Sequence, residues 1–451
     1  MTALTFDSLS RLALAATALS GTSDLVPTTG EGSPISPATF AATKDGPFKG
    51  GPAITDNVPQ RTVDPETGLA TVLRDPMTNA PITGTSAPVD TVFAQSTRGE
   101  NNLWDLAAPD KLDLPGITFN VPDEGTISAA VKKNYNSVIG SKNATPVQTL
   151  EAATEIVTNE LKAIVPTMSS WTLSHRHVDG VIRSATDADG NVIWHDGGDV
   201  YNKLAAAGPR NLRDLLLFSP NSVLFGYWAS TLPIRHRLAR NFSSTVTGYG
   251  ARRLLGGSTK STPFDISSHL EVNESGNVSY KGKGTVAEKL RPSNWGLGAV
   301  PTSGATNQIV CDSIIGDVTV STAQLRRVLH GSVDLSDEQA DSATIALTAL
   351  GLLAHTLILE NGFYRSGCDL IDRSTVWRAL NRGGATDLIE LPTTSAELIP
   401  VVREALDSAR KVGAFGSADN RIAVDMGPTM LNAVAASYLE QLVKKAEAGE
   451  A

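Results

Sequence analysis

His175 and His177 stand two residues apart in WTLSHRHVDGVIR (171–183), with Asp179 continuing the row. On a strand, residues two apart face the same way. Such a row could begin a metal site, with His195 and Asp196 as further donors. A zinc site needs three or four convergent ligands with their outer partners in place. The alternative is a His-Arg-His segment that touches a phosphate or a neighbouring strand. Other chemistry is sparse. The chain has no GxxxxGK[ST] loop, no GxSxG and no HExxH. The glycines of GYGARRLLGG lack the dinucleotide spacing that opens a helix after a strand. Asp265 in STPFD could act as an acid, though an Asp there more commonly bonds a turn or an arginine. Cys311 and Cys368 belong to no CxxC pair, which argues against a disulfide framework and for a reduced, intracellular protein. Cys368 reads as a small core residue.

Charge is more informative. The chain carries 38 Lys and Arg against 47 Asp and Glu, a formal charge of −9. Taken whole, that argues against a nucleic-acid binder. From Leu215 to Phe264, however, no acid occurs, while Arg235, Arg237, Arg240, Arg252, Arg253 and Lys260 do. An acid-free tract in an acidic chain polarises the surface. It can attract phosphates while the remainder keeps the protein soluble. The same pattern also fits solvated arginines on one helix. Phe225, Tyr227 and Trp228 open the tract. They could stack on bases, although burial in a core is the commoner outcome for an apolar run.

The elements that must position these residues follow from patterning. At the N-terminus LALAATAL (12–19) follows Asp7 and Arg11 without a basic cluster. It reads as a helix capped by Asp7 or Ser8 rather than as a signal-peptide core. Residues 21–100 are rich in Pro, Gly, Thr and Asp and read as long loops with a few short strands, VDTVFAQ (89–95) being the first firm strand. Residues 144–165 predict a helix, opened by Thr145-Pro146-Val147-Gln148. DADGN (187–191) predicts a turn, 210–217 a short helix, and SVLFGYW (222–228) a buried strand. Ile234, Leu238, Phe242 and Val246 lie four apart, which predicts a basic amphipathic helix over 234–248 with Arg237 and Arg240 on one face.

Further on, residues 272–305 read as an extended hairpin or a mobile loop, and 307–320 as two short β-like runs around Gly316. A long helix over 336–361 is capped by Ser336 and ends near Gly362. FYRSGCDLID (363–372) reads as a strand, and 394–412 and 428–446 as helices. No stretch reaches the ~18 apolar residues of a membrane span. The best, 343–360, is interrupted by Gly351 and His355. Mixed strands and helices with long excursions make the fold class α+β.

Several of these segments, in order, resemble one family. SPNSVLFGYWAST (219–231) resembles the Pro-x-x-Leu-x-Phe-Gly-x-Trp-Asp-Ser signature of the backbone subunit of the type I-G (formerly I-U) CRISPR Cascade complex, a RAMP-superfamily protein. RLARNFSSTVTGYGA (237–251) resembles its Arg-Ala-Leu-Val-Ser-Glu-Ile-Val-Gly helix, and LSHRHVDGVIRSA (173–185) its Pro-His-Arg-x-x-Asp-Ala segment. VFAQSTRGENNL (92–103) and RSGCDLI (365–371) are similar to its early and late strands. The chain departs from the pattern at Ala229, where the family has Asp, and at Thr245, where it has Glu.

The resemblance implies a ferredoxin-like, RNA-recognition-motif-type palm with large insertions forming fingers and thumb. It divides the chain into a loop-rich extension (1–88), the palm (89–385) and a C-terminal helical part (386–451). It implies a non-catalytic, cytoplasmic protein without metal, cofactor or membrane. Copies would polymerise head to tail along CRISPR RNA, with target DNA pairing to the guide. Other Cascade subunits, and a helicase-nuclease recruited later, would be the further partners. The implied RNA contacts are His175, Arg176, Arg183, Ser230, Arg235, Arg237, Arg240, Arg252, Arg253, Lys260 and Arg98. Two other functions compete: a metal-dependent ribonuclease of the backbone-subunit type, and a nucleic-acid-free capsid or sheath protein.

Overall fold

The computed structural model describes residues 4–37, 54–64, 70–90, 92–138, 149–195, 198–204, 207–229, 237–254, 259–261, 270–272, 278–280, 299–301, 308–365, 367–384 and 386–447. An antiparallel sheet of eight strands organises it. These are β1 (Ala18–Pro27), β2 (Thr55–Pro59), β3 (Thr83–Asp90), β4 (Phe242–Tyr249), β5 (Ser313–Val320), β6 (Phe363–Arg365), β7 (Cys368–Leu380) and β8 (Thr386–Ile389). Their order is β6-β7-β1-β5-β4-β3-β2, with β8 also paired to β7. Five strands of eight or more residues lie side by side, β7-β1-β5-β4-β3; the first four of these stand fourth, first, third, second among themselves in chain order.

Period-two alternation explains the centre of the sheet. Leu19, Gly21, Ser23 and Leu25 of β1 stand opposite Val320, Val318, Gly316 and Ile314 of β5 and are buried. Ser20, Thr22 and Asp24 take the other face, opposite Thr319, Asp317 and Ile315. The buried face is covered by helices α2 (Val92–Trp104) and α4 (Asp337–Asn361), and α4 in turn packs against α1 (Phe6–Ala15), α3 (Thr322–His330) and α5 (Ser395–Lys411). Helix α4 starts as its sequence dictates. Ser336 accepts the Gln339 N–H, Gln339 returns the bond, and Gly362 ends the helix at φ 63°. Its Gly351 sits so close to β5 that a Cβ would lie 3.1 Å from Val320 Cγ2. Among the described residues α4 is the one helix long and apolar enough to cross a membrane, but most of it is buried in this fold. His355 on α4 meets the Trp377 ring edge-on at 5.7 Å, and burial pushes its imidazole down to about 3, so it stays neutral.

Several expected elements take other forms. The first helix begins earlier, with Thr5 as cap and a reciprocal bond from Ser8. Residues expected as loop after it form β1, the strand shared by β5 and β7. The expected strand 89–95 ends at Asp90, and α2 follows. Its inward face carries Gln95, Ser96, Gly99, Glu100 and Leu103. That is helical spacing, but mostly polar, so hydrophobic periodicity does not reveal it. The expected strand 222–228 is a short helix, Asn221–Phe225, followed by Tyr227–Trp228 as a two-residue strand. Between them Gly226 adopts φ 75°, where a Cβ would lie 2.7 Å from the Arg240 amide. Of the basic amphipathic helix expected over 234–248, residues 234–236 lie outside the described residues, and the remainder instead holds the short strand Arg237–Leu238 and most of β4. Phe242, Ser244, Val246 and Gly248 are all buried, so a period of two produces the same apolar fours.

Instead of two runs around Gly316, β5 passes through it unbroken, and the break falls at residues 311–312. The expected strand 363–372 folds back on itself as β6 and β7, with Gly367 at φ 76°. The helix expected over 144–165 spans Leu150–Ile164; its proposed cap lies outside the described residues. The DADGN turn forms, Thr186 bridging Val192 while the Asp187 carboxylate accepts the Asp189 and Asn191 N–H groups at 3.0 and 2.8 Å.

The chain divides into two compact units, 1–121 with 164–253 and 308–427, and 122–163 with 254–307 and 428–451. The first holds the sheet and the parallel pair Ile117–Asn120 with Ile422–Asp425. In the second, helices Glu124–Val138 and Pro428–Glu447 pack together, with Asn134 Nδ2 donating to Asn432 Oδ1 at 3.2 Å. Its segment 254–307 contains two nested antiparallel pairs, Thr259–Ser261 with Ala299–Pro301 and Leu270–Val272 with Val278–Tyr280.

At the end of α3, His330 bridges Asp337 at 3.1 Å and Asp341 at 2.9 Å. Partial burial acts to lower its pKa, but these two carboxylates outweigh it and hold the imidazole above its ordinary value. The charged pair should therefore support the fold below the unfolded value near 6.5, and lose that support as pH rises through the folded value. The pair is partly exposed, so His330→Gln should cost at most about 1 kcal/mol, and only below that transition. Chemical denaturation at pH 5.5 and pH 8.5 checks this; equal costs at both would contradict it.

Candidate nucleic-acid interface

The segments that looked chemical converge on a buried polar cluster. Glu100, from α2, accepts from Arg176 Nε at 3.0 Å and from Arg176 Nη2. It also accepts from Asn221 Nδ2 at 2.8 Å, which in turn donates to the Ser170 carbonyl at 2.9 Å. Ser219 donates to Asn221 Oδ1 at 3.0 Å. Close by, His177 Nδ1 and Ser222 Oγ lie 2.7 Å apart. Burial pushes the Glu100 carboxyl up to about 7, against the pull of the Arg176 charge and the two donors. Arg176 holds φ at 54°, a conformation costly for a residue with a Cβ, and its guanidinium lies over Phe225 at 5.8 Å. Thus α2, the 173–185 turn and the 219–225 turn are fastened together by one ion pair and its amide. The motifs mark a clasp inside the protein.

This placement sorts the expected contacts. Arg176 is buried, so its guanidinium is spent on Glu100. Arg98 is likewise engaged, with Asp90, the Tyr364 carbonyl and the Tyr364 ring at 5.3 Å. His175 and His177 do not share a strand face. A 3₁₀ turn covers Arg176–Val178, leaving His175 exposed and His177 fully buried. Among the described residues no three His, Cys, Asp or Glu side chains gather for a metal. Arg183 is half-buried at the end of a four-residue helix. Ser230, Arg235 and Asp265 lie outside the described residues, and Lys260 falls in the short strand Thr259–Ser261. Cys368 is buried, its thiol pushed up to about 12 by desolvation.

The remaining cations fall into two groups. Arg237 and Arg240 are exposed just before β4. Arg252 and Arg253 are exposed just after it, and Arg252 meets Asp312 at 2.9 Å. The eight residues of β4 separate the groups by roughly 24 Å at about 3.4 Å per residue. The tract is therefore not one patch but two, at opposite ends of a strand whose outward side chains are Ser243, Thr245 and Thr247.

The aromatic run is divided as well. Phe225 is buried edge-on against Phe242 at 5.3 Å. Tyr227 is buried and donates to the Ala207 carbonyl at 3.1 Å. Trp228, by contrast, is 67% exposed and stands directly across from Arg237 in a two-residue antiparallel pair. Tyr227 and Leu238 take the buried side of that pair. An indole face and a guanidinium therefore share one open surface.

Residues 19–253, just over half of the chain, match the family described as CRISPR-associated protein GSU0053. The chain belongs to this CRISPR-associated family, which is of the RAMP-like type. Among curated proteins none matches the sequence significantly. The family match takes in α2, both clasp turns, the Trp228–Arg237 pair and all of β4. Glu100 and Asn221, the centre of the clasp, carry no local sequence signal of that role. Nothing in a sequence distinguishes an acid that is buried with a partner from one that is solvated.

Proposed function

We propose that this CRISPR-associated protein is a non-catalytic subunit that coats guide RNA in a type I-G Cascade complex. The observation that carries this reading is the exposed Trp228 paired across from Arg237, with Arg240 beside them and no acid in the surrounding sequence. Aromatic faces accept any base and arginines accept any phosphate, so such a surface holds a strand whatever its sequence. That suits a guide whose bases must be left to pair with target DNA. The run β7-β1-β5-β4, fourth-first-third-second among themselves in chain order and covered by helices on one face, supports a ferredoxin-like palm, with β3 and β2 as an addition at its β4 edge. The nested strand pairs within 254–307 support a hairpin thumb. Copies stacked head to tail along the RNA, together with the other Cascade subunits and a later helicase-nuclease, complete the proposal. Such heterologous contacts propagate without closing.

The test is to co-express the chain with a CRISPR array, purify it, and extract nucleic acid. Guide-length RNA bound by several copies is expected. Filaments or shells free of nucleic acid would favour a sheath protein instead. Metal-dependent cleavage of complementary RNA that is lost in Asp265→Asn would favour a ribonuclease.

A further inference from the structure

Arg378 lies outside the family-matched segment and the acid-free tract. It lies on β7, directly opposite Ser20 of β1. Trp377 beside it points to the helix-covered face, where it meets His355, so Arg378 takes the opposite face. Reading across the sheet at this level, Leu388 of β8 is followed by Arg378, Ser20, Thr319 and Ser243. Leu388 and Ser243 are exposed, and Arg378, Ser20 and Thr319 are half-exposed. One row thus carries an arginine and three hydroxyls over four adjacent strands, roughly 14 Å at about 4.8 Å per strand. Ser243 follows Arg240 by three residues, so the row ends beside the Arg237–Arg240 group.

Arg378 is chemically unfinished. Its Nε and Nη2 are shielded from solvent and have no hydrogen-bond partner. These two nitrogens form one edge of the guanidinium, the fork that matches two oxygens of a phosphate or carboxylate. Buried donors left unpaired are rare in folded proteins and call for a partner. Asp317, one row away on β5, is already held by Arg61 at 3.4 Å and by Thr22 at 3.3 Å.

We propose that Arg378, with the hydroxyl of Thr319, forms a phosphate site on the open face of the sheet; Ser20 Oγ between them donates to the Val318 carbonyl at 3.1 Å and lies 3.4 Å from Thr319 Oγ1. The site's ligand is a phosphodiester of the strand held at Trp228 and Arg237, so the inference rests on the nucleic-acid reading above. Nε and Nη2 are shielded in the present conformation, so binding requires the fork to turn outward to one phosphate. The row of hydroxyls then leads the strand across β1 and β5 towards Arg240.

The experiment measures binding of a single-stranded RNA of mixed sequence between 50 and 200 mM salt, using the full chain and its Arg378→Gln and Arg378→Lys variants. One lost phosphate contact lowers the slope of log affinity against log salt by about 0.7. Arg378→Gln should show that change and bind about tenfold more weakly, as expected for loss of a charge-assisted bidentate contact. Arg378→Lys should keep the slope and lose only part of the affinity. Thermal unfolding of each variant identifies any that fails to fold. If the parent binds RNA and Arg378→Gln keeps its slope, the site is overturned and the nucleic-acid reading stands. If the parent binds no RNA, the nucleic-acid reading fails. In that case inorganic phosphate that raises the melting temperature of the parent, but not of Arg378→Gln, would support an anion site with a free-phosphate ligand. No effect of phosphate would overturn the site as well.

Discussion

Arg176→Ala should destabilise the protein by about 3–5 kcal/mol, a large share of the roughly 5–15 kcal/mol that holds a typical protein folded, because Glu100 would remain buried without its counter-ion. Urea unfolding of parent and variant measures the cost directly. Two features separate this from ordinary loss of packing. First, Glu100 is already held up to about 7 by burial. Without Arg176 its carboxyl would rise further, so protonation should rescue much of the variant below about pH 5. Second, the double variant Glu100→Gln with Arg176→Met should be more stable than either single one, since no charge is then left stranded. A cost below about 1 kcal/mol for Arg176→Ala would mean that the pair is not the clasp described here. In the parent, folding takes up a proton between the ordinary carboxyl value and about 7. Stability should therefore decline as pH rises from 4.5 to about 7, and Glu100→Gln should remove that slope.

Reversing Arg237 and Arg240 together to Glu should abolish most RNA binding at physiological salt while leaving the fold intact, because both side chains are exposed. Two phosphate contacts account for about 1.4 in the salt slope of a single strand, at about 0.7 each. The two new acids add repulsion on top of that loss. Trp228→Ala should act differently. Removal of one stacking platform costs about 1–3 kcal/mol per base, with little change in slope, and Trp228→Phe should recover part of it. Fluorescence anisotropy across a salt series separates the two effects. A salt slope unchanged in the arginine double variant would remove both residues from the interface.

The contrast between these variants follows from what each arginine meets. Arg176 and Arg237 belong to segments with equal claim to a phosphate, and both are basic residues among polar neighbours. One is clasped by Glu100, from 76 positions earlier in the chain; the other faces solvent beside Trp228. Such a difference depends on a partner distant in sequence, and no local pattern contains it.

Local signals were legible wherever the deciding contact is also local. The cap at Ser336 and the stop at Gly362 depend on groups within four residues, and the helices Ser395–Lys411 and Pro428–Glu447 declare themselves by composition and spacing. The α+β class and the CRISPR family were legible too, the latter from ordered short segments. The strand identity of β4 was not. Apolar residues at intervals of four satisfy a helix and a strand alike, and pairing with β5 and β3 decided between them. Nor was α2 legible, because its buried face is polar and its partners lie on β4 and in the two clasp turns. Composition alone established that this acidic chain keeps one stretch free of carboxylates. Tertiary pairing alone decided that the stretch is split between two ends of a strand, that its neighbouring motif arginines turn inward, and that Arg378 joins the open face. Side-chain charge is written residue by residue, whereas burial and pairing are set by which distant segments fold against it.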